Sequence, residues 1–219
     1  MARGAALGVK LGLAPAHART LADLRTPERI QAFVSDLPTN FERAGETALS
    51  VAGVMKEGHA HCLEGAFVAA CALWLAGETP WLVEMQAKGD DDHVVALFRR
   101  GRCWGAISKT NHVWLRYRDP IYRSLRELMM SYFHEYTRGP KKTLRSHSRP
   151  VDMRRVDHRL WVSNPFDCWE AADILSSAKR IPIISPAQAK ALTARDPMEM
   201  RANALLQYTA PDAKTALKY

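Results

Sequence analysis

The stretch Gly58-His59-Ala60-His61-Cys62-Leu63-Glu64-Gly65-Ala66 concentrates chemistry in this sequence. It puts a cysteine at the start of an apolar helical run, where unpaired backbone N–H groups and the helix dipole favour the thiolate. A thiolate is the reactive form of cysteine, and the same amides can stabilise an oxyanion on a carbonyl under attack. His93 follows 31 positions later, at the head of an apolar segment. An imidazole beside such a thiol can take its proton and later protonate a leaving group. Cys62 and His93 are therefore the candidate nucleophile and base.

A metal reading draws on overlapping residues, because His59, His61, Cys62, Asp92 and His93 are all suitable ligand types. Alternation sets His59 and His61 on one side and Cys62 on the other, and no second Cys/His pair at finger-like spacing follows. No H-x-E followed by P-C-x-x-C is present, which disfavours a zinc deaminase. No metal is expected. Glu64 is either a first-turn acid favoured by the helix dipole or a neighbour of the thiol that contacts substrate. Asp90-Asp91-Asp92 reads as a solvated loop or as the rim of a site, with Asp92 the candidate substrate contact. Cys71, embedded in the apolar run, reads as packing, and Cys103 as core or a neighbour of the site.

The elements that must position these groups are legible in the pattern. Thr26-Pro27-Glu28 opens a helix with Thr as N-cap, and Pro38 stops it. A second helix is expected from about 46 to 56, and a third from about 62 to 76. The third is apolar on all sides after Glu64, the signature of a buried helix. Strands follow at 81–86, 93–98 and 103–108, the last two joined as a hairpin by Arg100-Gly101. A buried helix followed by consecutive strands is an α+β order, not a doubly wound one. A helix over about 121–136 comes next, then a basic loop over 138–160. A C-terminal α/β extension over 161–205 and a mobile tail over 206–219 complete the chain, and residues 1–20 read as a weakly ordered lead-in.

In this order of elements the sequence resembles the transglutaminase-like superfamily of papain-like thiol enzymes, and within it a group of bacterial transglutaminase-like proteins. The matching pieces are His61-Cys62-Leu63-Glu64-Gly65-Ala66, Asp92-His93-Val94-Val95 and Gly101-Arg102-Cys103-Trp104-Gly105-Ala106-Ile107-Ser108. Leu115-Arg116-Tyr117-Arg118-Asp119-Pro120 and Ser131-Tyr132-Phe133-His134-Glu135-Tyr136 extend the match, which covers about residues 45–137. The resemblance implies an α+β fold in which a buried helix carrying the Cys packs on an antiparallel sheet. It implies Cys62 as nucleophile and His93 as base, acting on an amide or peptide carbonyl through a thioester, with no cofactor. Ser108 stands where the family usually has Asp; serine can accept a hydrogen bond from imidazole but supplies no charge. Asn111, three residues on, is the alternative orienting group, as Asn is in papain-like enzymes. Trp104 belongs to the matched strand and is a candidate substrate contact. Arg116, Arg118 and Asp119 form a polar knot that is either a structural salt bridge or, through Arg116, a substrate carboxylate contact.

Composition bounds what else the chain can be. It has 219 residues, 47% hydrophobic and 25% charged, which is globular composition with ample length for a core. Four scattered cysteines do not make a secreted disulfide framework, and no apolar run is long enough to span a membrane. The N-terminus only loosely imitates a signal peptide, since Lys10 interrupts its apolar stretch, so a cytoplasmic protein with reduced thiols is expected. The net charge of +8 divides unevenly: residues 99–159 carry 16 Lys+Arg against 5 Asp+Glu, and the remainder 15 against 18. A basic border beside the His93 strand would favour acidic peptide or protein substrates. Two other classes stand beside the enzyme: a catalytically degenerate relative that binds a peptide partner, and nucleic-acid binding through the basic segment. No recognisable motif supports the latter.

Overall fold

A computed structural model of the chain describes residues 3–210. Five helices lead: α1 (Arg3–Lys10), α2 (Pro15–Ala22), α3 (Pro27–Asp36), α4 (Val51–Glu57) and α5 (Cys62–Leu75). Four strands follow, β1 (Trp81–Ala87), β2 (His93–Arg100), β3 (Cys103–Ser108) and β4 (Arg118–Tyr122), then α6 (Leu125–Met130). After the short hairpin of β5 (Thr137–Arg138) and β6 (Lys141–Lys142) come β7 (Leu144–Ser148) and β8 (Val151–Asp152). α7 (Trp169–Ser176), β9 (Arg180–Pro182), α8 (Pro186–Lys190) and α9 (Pro197–Ala202) complete the described chain. The architecture is α+β, with an antiparallel sheet ordered β4-β3-β2-β1-β7-β9 and β8 paired to β1 beyond β7.

The sheet is covered on both faces. On one side α5 inserts Phe67, Val68, Cys71 and Leu73 against Leu82, Val94, Ala96, Phe98 and Ile107, with α1 to α4 and Trp161 closing the layer. On the other side Val83, Met85, Val95, Leu97 and Ala106 meet Leu128, Met129, Tyr132, Phe133 and Tyr136. This double burial explains why Val94 to Phe98 is a continuous apolar run. Each such side chain removed from water contributes about 2 kcal/mol, so α5 is fixed in place by many neighbours.

Several sequence expectations change. The lead-in is two packed helices: the small residues of α1 let it approach closely, and a Cβ at Gly8 would lie 2.8 Å from that of Ala18. Helix α4 starts at Val51 because Ser50 caps it, accepting from Gly53 N–H at 3.2 Å. The expected helix over 121–136 shrinks to α6; residues 118–122 join the sheet, and Ser124 and Glu127 close a capping box that sets the start. The basic loop contains β7, which sits between β1 and β9 and continues the sheet across the expected boundary at 138. Its polar residues are satisfied there, Ser148 Oγ accepting from Glu84 N–H at 3.0 Å and Ser146 Oγ donating to Gln86 Oε1 at 3.0 Å. Of the expected tail, Gln207 and Tyr208 bond back to residues 35, 36 and 111, while residues 211–219 lie outside the described residues. Among the described residues no helix is long and apolar enough to cross a membrane.

Candidate active site

The start of α5 is fixed from two sides. Gly58, at φ 75°, ends α4 in a left-handed turn that few residues but glycine adopt readily. The chain then bridges Ala60 to Thr39, with Asn40 N–H donating to Ala60 O at 3.2 Å. His61 is the N-cap of α5: its Nδ1 accepts from Leu63 N–H at 3.3 Å, and the Glu64 carboxylate accepts from His61 N–H at 2.9 Å.

Glu64 is fully buried and holds this entry together. Its carboxylate accepts from the Thr47 hydroxyl and Leu49 N–H, both at 2.9 Å, and from the Asn40 amide at 3.1 Å. A carboxylate so occupied has no capacity for substrate, which corrects its expected contact role. It is the residue that anchors segment 47–49 and the N-cap to one point.

Cys62 is therefore held at the first position of α5, partly exposed, with its Sγ 4.0 Å from the Asp92 carbonyl oxygen. Burial alone would push its thiol up. Hydrogen bonds from His61 and His93, and the charge those rings carry, outweigh burial and bring it down to about 5. His61 answers in the opposite sense. Burial would pull it down, but the Cys62 sulfur and the Glu64 carboxylate, 3.3 Å from its Nε2, raise it to about 9. Its Nε2 also lies 2.9 Å from Thr47 O, so that nitrogen carries a proton in either state. Nδ1 then has two uses: it caps Leu63 when the ring is neutral, and as N–H it faces the thiolate once Cys62 has ionised.

His93 opens β2, and its tautomer follows from its partner. Ser108 Oγ lies 2.5 Å from Leu115 O and 2.8 Å from His93 Nε2. A carbonyl can only accept, so the single hydroxyl hydrogen goes to Leu115 and Ser108 accepts from His93 Nε2–H. Nδ1 of His93 is thereby the nitrogen left to carry the Cys62 proton. The Ser108 backbone is held in turn by Gln31, whose side chain accepts from Ser108 N–H at 2.9 Å and donates to its carbonyl at 2.8 Å.

The thiol opens into a cavity of about 300 Å³ lined by Thr39, His61, Cys62, Asp92, His93, Lys109 and Asn111, among others. Asn111 reaches it but does not serve His93. Its amide donates to Tyr208 O at 2.9 Å and accepts from Tyr208 N–H at 2.8 Å, so the C-terminal segment occupies both ends. The Asp92 carboxylate accepts from Ala87 N–H at 2.9 Å, which closes the β1–β2 loop at the rim. Trp104 lies outside the cavity lining, on β3 opposite Tyr122, packed on Trp81 with ring centroids 5.4 Å apart and covered by Arg99. Arg116 lines a separate shallow depression and donates to Gln207 Oε1 at 3.1 Å. The nearby knot is a structural ion pair between Arg118 and Glu135 at 2.5 Å. Trp104 and Arg116 are thus corrected as substrate contacts of this cavity.

Of the basic segment, Lys109 and Arg138 line the cavity, across from Asp90, Asp91, Asp92 and Glu135, while Arg99, Arg100, Arg154 and Arg159 are engaged with Trp104, Glu78, Asp152 and Asp157. His61 and Lys109 are site residues that sequence reasoning missed as such. His61 was visible as the residue before Cys62, and Lys109 as the residue after Ser108. Compared with known proteins, the chain matches no family model and no curated protein.

Proposed function

We propose that this chain is a thiol enzyme acting on an amide, peptide or ester carbonyl through a thioester at Cys62, in the manner of the transglutaminase-like enzymes that its sequence resembles. The observation that carries the reading is the chain His93–Ser108–Leu115 beside Cys62 in one cavity, in which a carbonyl acceptor leaves His93 Nδ1 as the nitrogen that can hold the thiol proton.

In this reading the Cys62 proton already rests on His93 Nδ1, and the thiolate adds to the carbonyl carbon. The carbonyl π pair moves onto oxygen, where the backbone N–H of Cys62 at the first helical position can donate to it. When the tetrahedral intermediate collapses, the C–N or C–O bond breaks and the leaving group takes the proton from His93. Water or an amine, deprotonated by His93, then attacks the thioester, and the sulfur leaves as the thiolate with the proton back on His93. Ser108 keeps the ring aligned, and His61 stabilises the thiolate from its other side.

Incubation with a p-nitrophenyl ester, followed by mass spectrometry of the quenched protein, tests this. The expected result is one acyl group on Cys62, absent in Cys62→Ser and formed about 100-fold more slowly in His93→Ala. Acyl groups spread over lysines and the other cysteines, with no preference for Cys62, would overturn it.

A further inference from the structure

The inner wall of the same cavity holds a group the mechanism does not use. Lys109 is 2% exposed, deeper than almost any lysine, and no carboxylate pairs with it among the described residues. Its Nζ donates to the carbonyl oxygen of Leu37 and stands 5.1 Å from the Tyr208 ring centroid. Its stem lies against α5 one turn beyond Cys62, where Gly65 leaves room: a Cβ at Gly65 would overlap the Lys109 side chain. Lys109 and Cys62 therefore share one end of α5 and line one cavity.

A second observation is independent of the lysine. Thr39, 8% exposed and lining the same cavity, has an Oγ1 with no hydrogen-bond partner. Trp114 Nε1, on the neighbouring wall, is also buried without a partner. Buried polar atoms are nearly always satisfied, and these two orphans belong to residues that line the cavity Cys62 opens into, where an entering group could satisfy them. An ammonium, a hydroxyl and an indole N–H are a donor set for an anion. His112 Nδ1, the remaining orphan on this cavity, is left for water or a substrate N–H.

We propose that Lys109, Thr39 and Trp114 form a carboxylate subsite, so that the preferred substrate carries a carboxylate on the acyl side of the bond that Cys62 attacks. The inference rests on the thiol-enzyme reading above and adds a substrate class to it. The opposite wall carries Asp90, Asp91, Asp92 and Glu135, which would repel an anion, and Arg138, which would attract one. Three of the acids are already engaged, Asp90 with the Thr143 hydroxyl, Asp92 with Ala87 N–H and Glu135 with Arg118. Asp91 is exposed to solvent. A buried charge is screened less than one in water, so Lys109 acts strongly on a group that reaches it. Burial, and Arg116 nearby, hold Lys109 down at about 8, so it is still mostly charged at neutral pH.

Paired alkylating agents test the subsite. Iodoacetate and iodoacetamide differ in charge at nearly constant size, as do 3-maleimidopropionate and N-ethylmaleimide. Second-order rate constants at Cys62, each normalised to a free thiol, are expected to favour the carboxylate reagent of at least one pair by about tenfold at low salt. Lys109→Met should bring that ratio to about one or below, and Thr39→Val should lower it severalfold. Glutarate should protect Cys62 of the unmodified protein from iodoacetamide, which provides a readout if Lys109→Met fails to fold. Equal or lower rates for both carboxylate reagents, with no protection by glutarate, would overturn the subsite. If Cys62 reacts fast with the neutral reagents but shows no anion preference, only the subsite fails. If it reacts slowly with every reagent, the thiol-enzyme reading fails with it.

Discussion

Two cysteines nine residues apart on one helix make opposite use of the same fold. Cys71 lies in the middle of α5, fully enclosed by apolar neighbours, and burial pushes its thiol up to about 12. Cys62 lies at the first position, where two imidazoles reverse the effect of burial and bring the thiol down to about 5. Both residues belong to the same helix, so a place on α5 does not by itself make a thiol reactive. What differs is what the sulfur faces: side chains without charge at Cys71, and His61 and His93 at Cys62. Cys168 is likewise pushed up to about 12, by burial first and then by the Asp167 and Glu64 charges, which act in the opposite sense to the imidazoles.

The largest expected effect tests that contrast directly. At pH 7 Cys62 is almost wholly thiolate, whereas about one Cys71 in 10⁵ is ionised. The lower intrinsic nucleophilicity of a low-pKa thiolate offsets about 10³ of this, and the burial of Cys71 adds to the contrast again. Iodoacetamide at neutral pH should therefore label Cys62 more than about 10²-fold faster than Cys71. The pH profile gives the sign. Because the thiol midpoint is lowered, labelling of Cys62 should already be at its plateau by about pH 6, while an unperturbed thiol still gains rate up to about pH 9. A Cys62 midpoint near 8.5 in that profile, read by peptide mass spectrometry, would remove the contrast.

Glu64 supports the same comparison from below, because it fixes the end of α5 that Cys62 occupies. Removing its side chain leaves Asn40, Thr47, Leu49 and His61 as buried donors without their acceptor. Glu64→Ala should cost about 3 kcal/mol in denaturant unfolding, about 100-fold in the folding equilibrium. Cys71→Ala, which deletes one small buried group, should cost far less. If the two variants unfold alike, the entry to α5 is not the pinned point described here.

Much of this was legible in the sequence because it is local. The Thr26-Pro27 cap, the all-round apolar pattern of α5, the hairpin of β2 and β3, and the position of Cys62 ahead of an apolar helix all follow from residues within a few positions of one another. The misses are long-range. β7 is polar in sequence, and it becomes an interior strand only because Glu84, Gln86 and β9 satisfy it. Asn111 looked free to orient His93 because nothing near it announces Tyr208, 97 residues away. Glu64 looked like a site residue for the converse reason: its four partners lie between 3 and 24 positions upstream, and spacing alone does not show a carboxylate being filled. Charge was the weakest guide, since the segment total of 99–159 hides the pairing of its arginines and misses the single lysine that reaches the cavity.

The smallest effect is expected at Ser108, and it separates a serine suited to this site from one that merely replaces a carboxylate. The hydroxyl accepts from His93 Nε2–H and donates to Leu115 O, so it is the link between a base and a fixed carbonyl. Ser108→Ala removes a neutral hydrogen bond worth about 1 kcal/mol, and acylation of Cys62 should slow about fivefold. An aspartate would stabilise the His93 imidazolium by its charge, but it brings no hydrogen to Leu115 O. Two acceptors would then face each other across a gap that now measures 2.5 Å. Ser108→Asp should therefore fall below the unmodified protein and no higher than Ser108→Ala, measured as the rate of ester acylation between pH 6 and 8. A rate above the unmodified protein would mean that Leu115 yields easily. The Cys62 end of the contrast would then lack a full complement of charge, and the serine would be a loss rather than a fitted part.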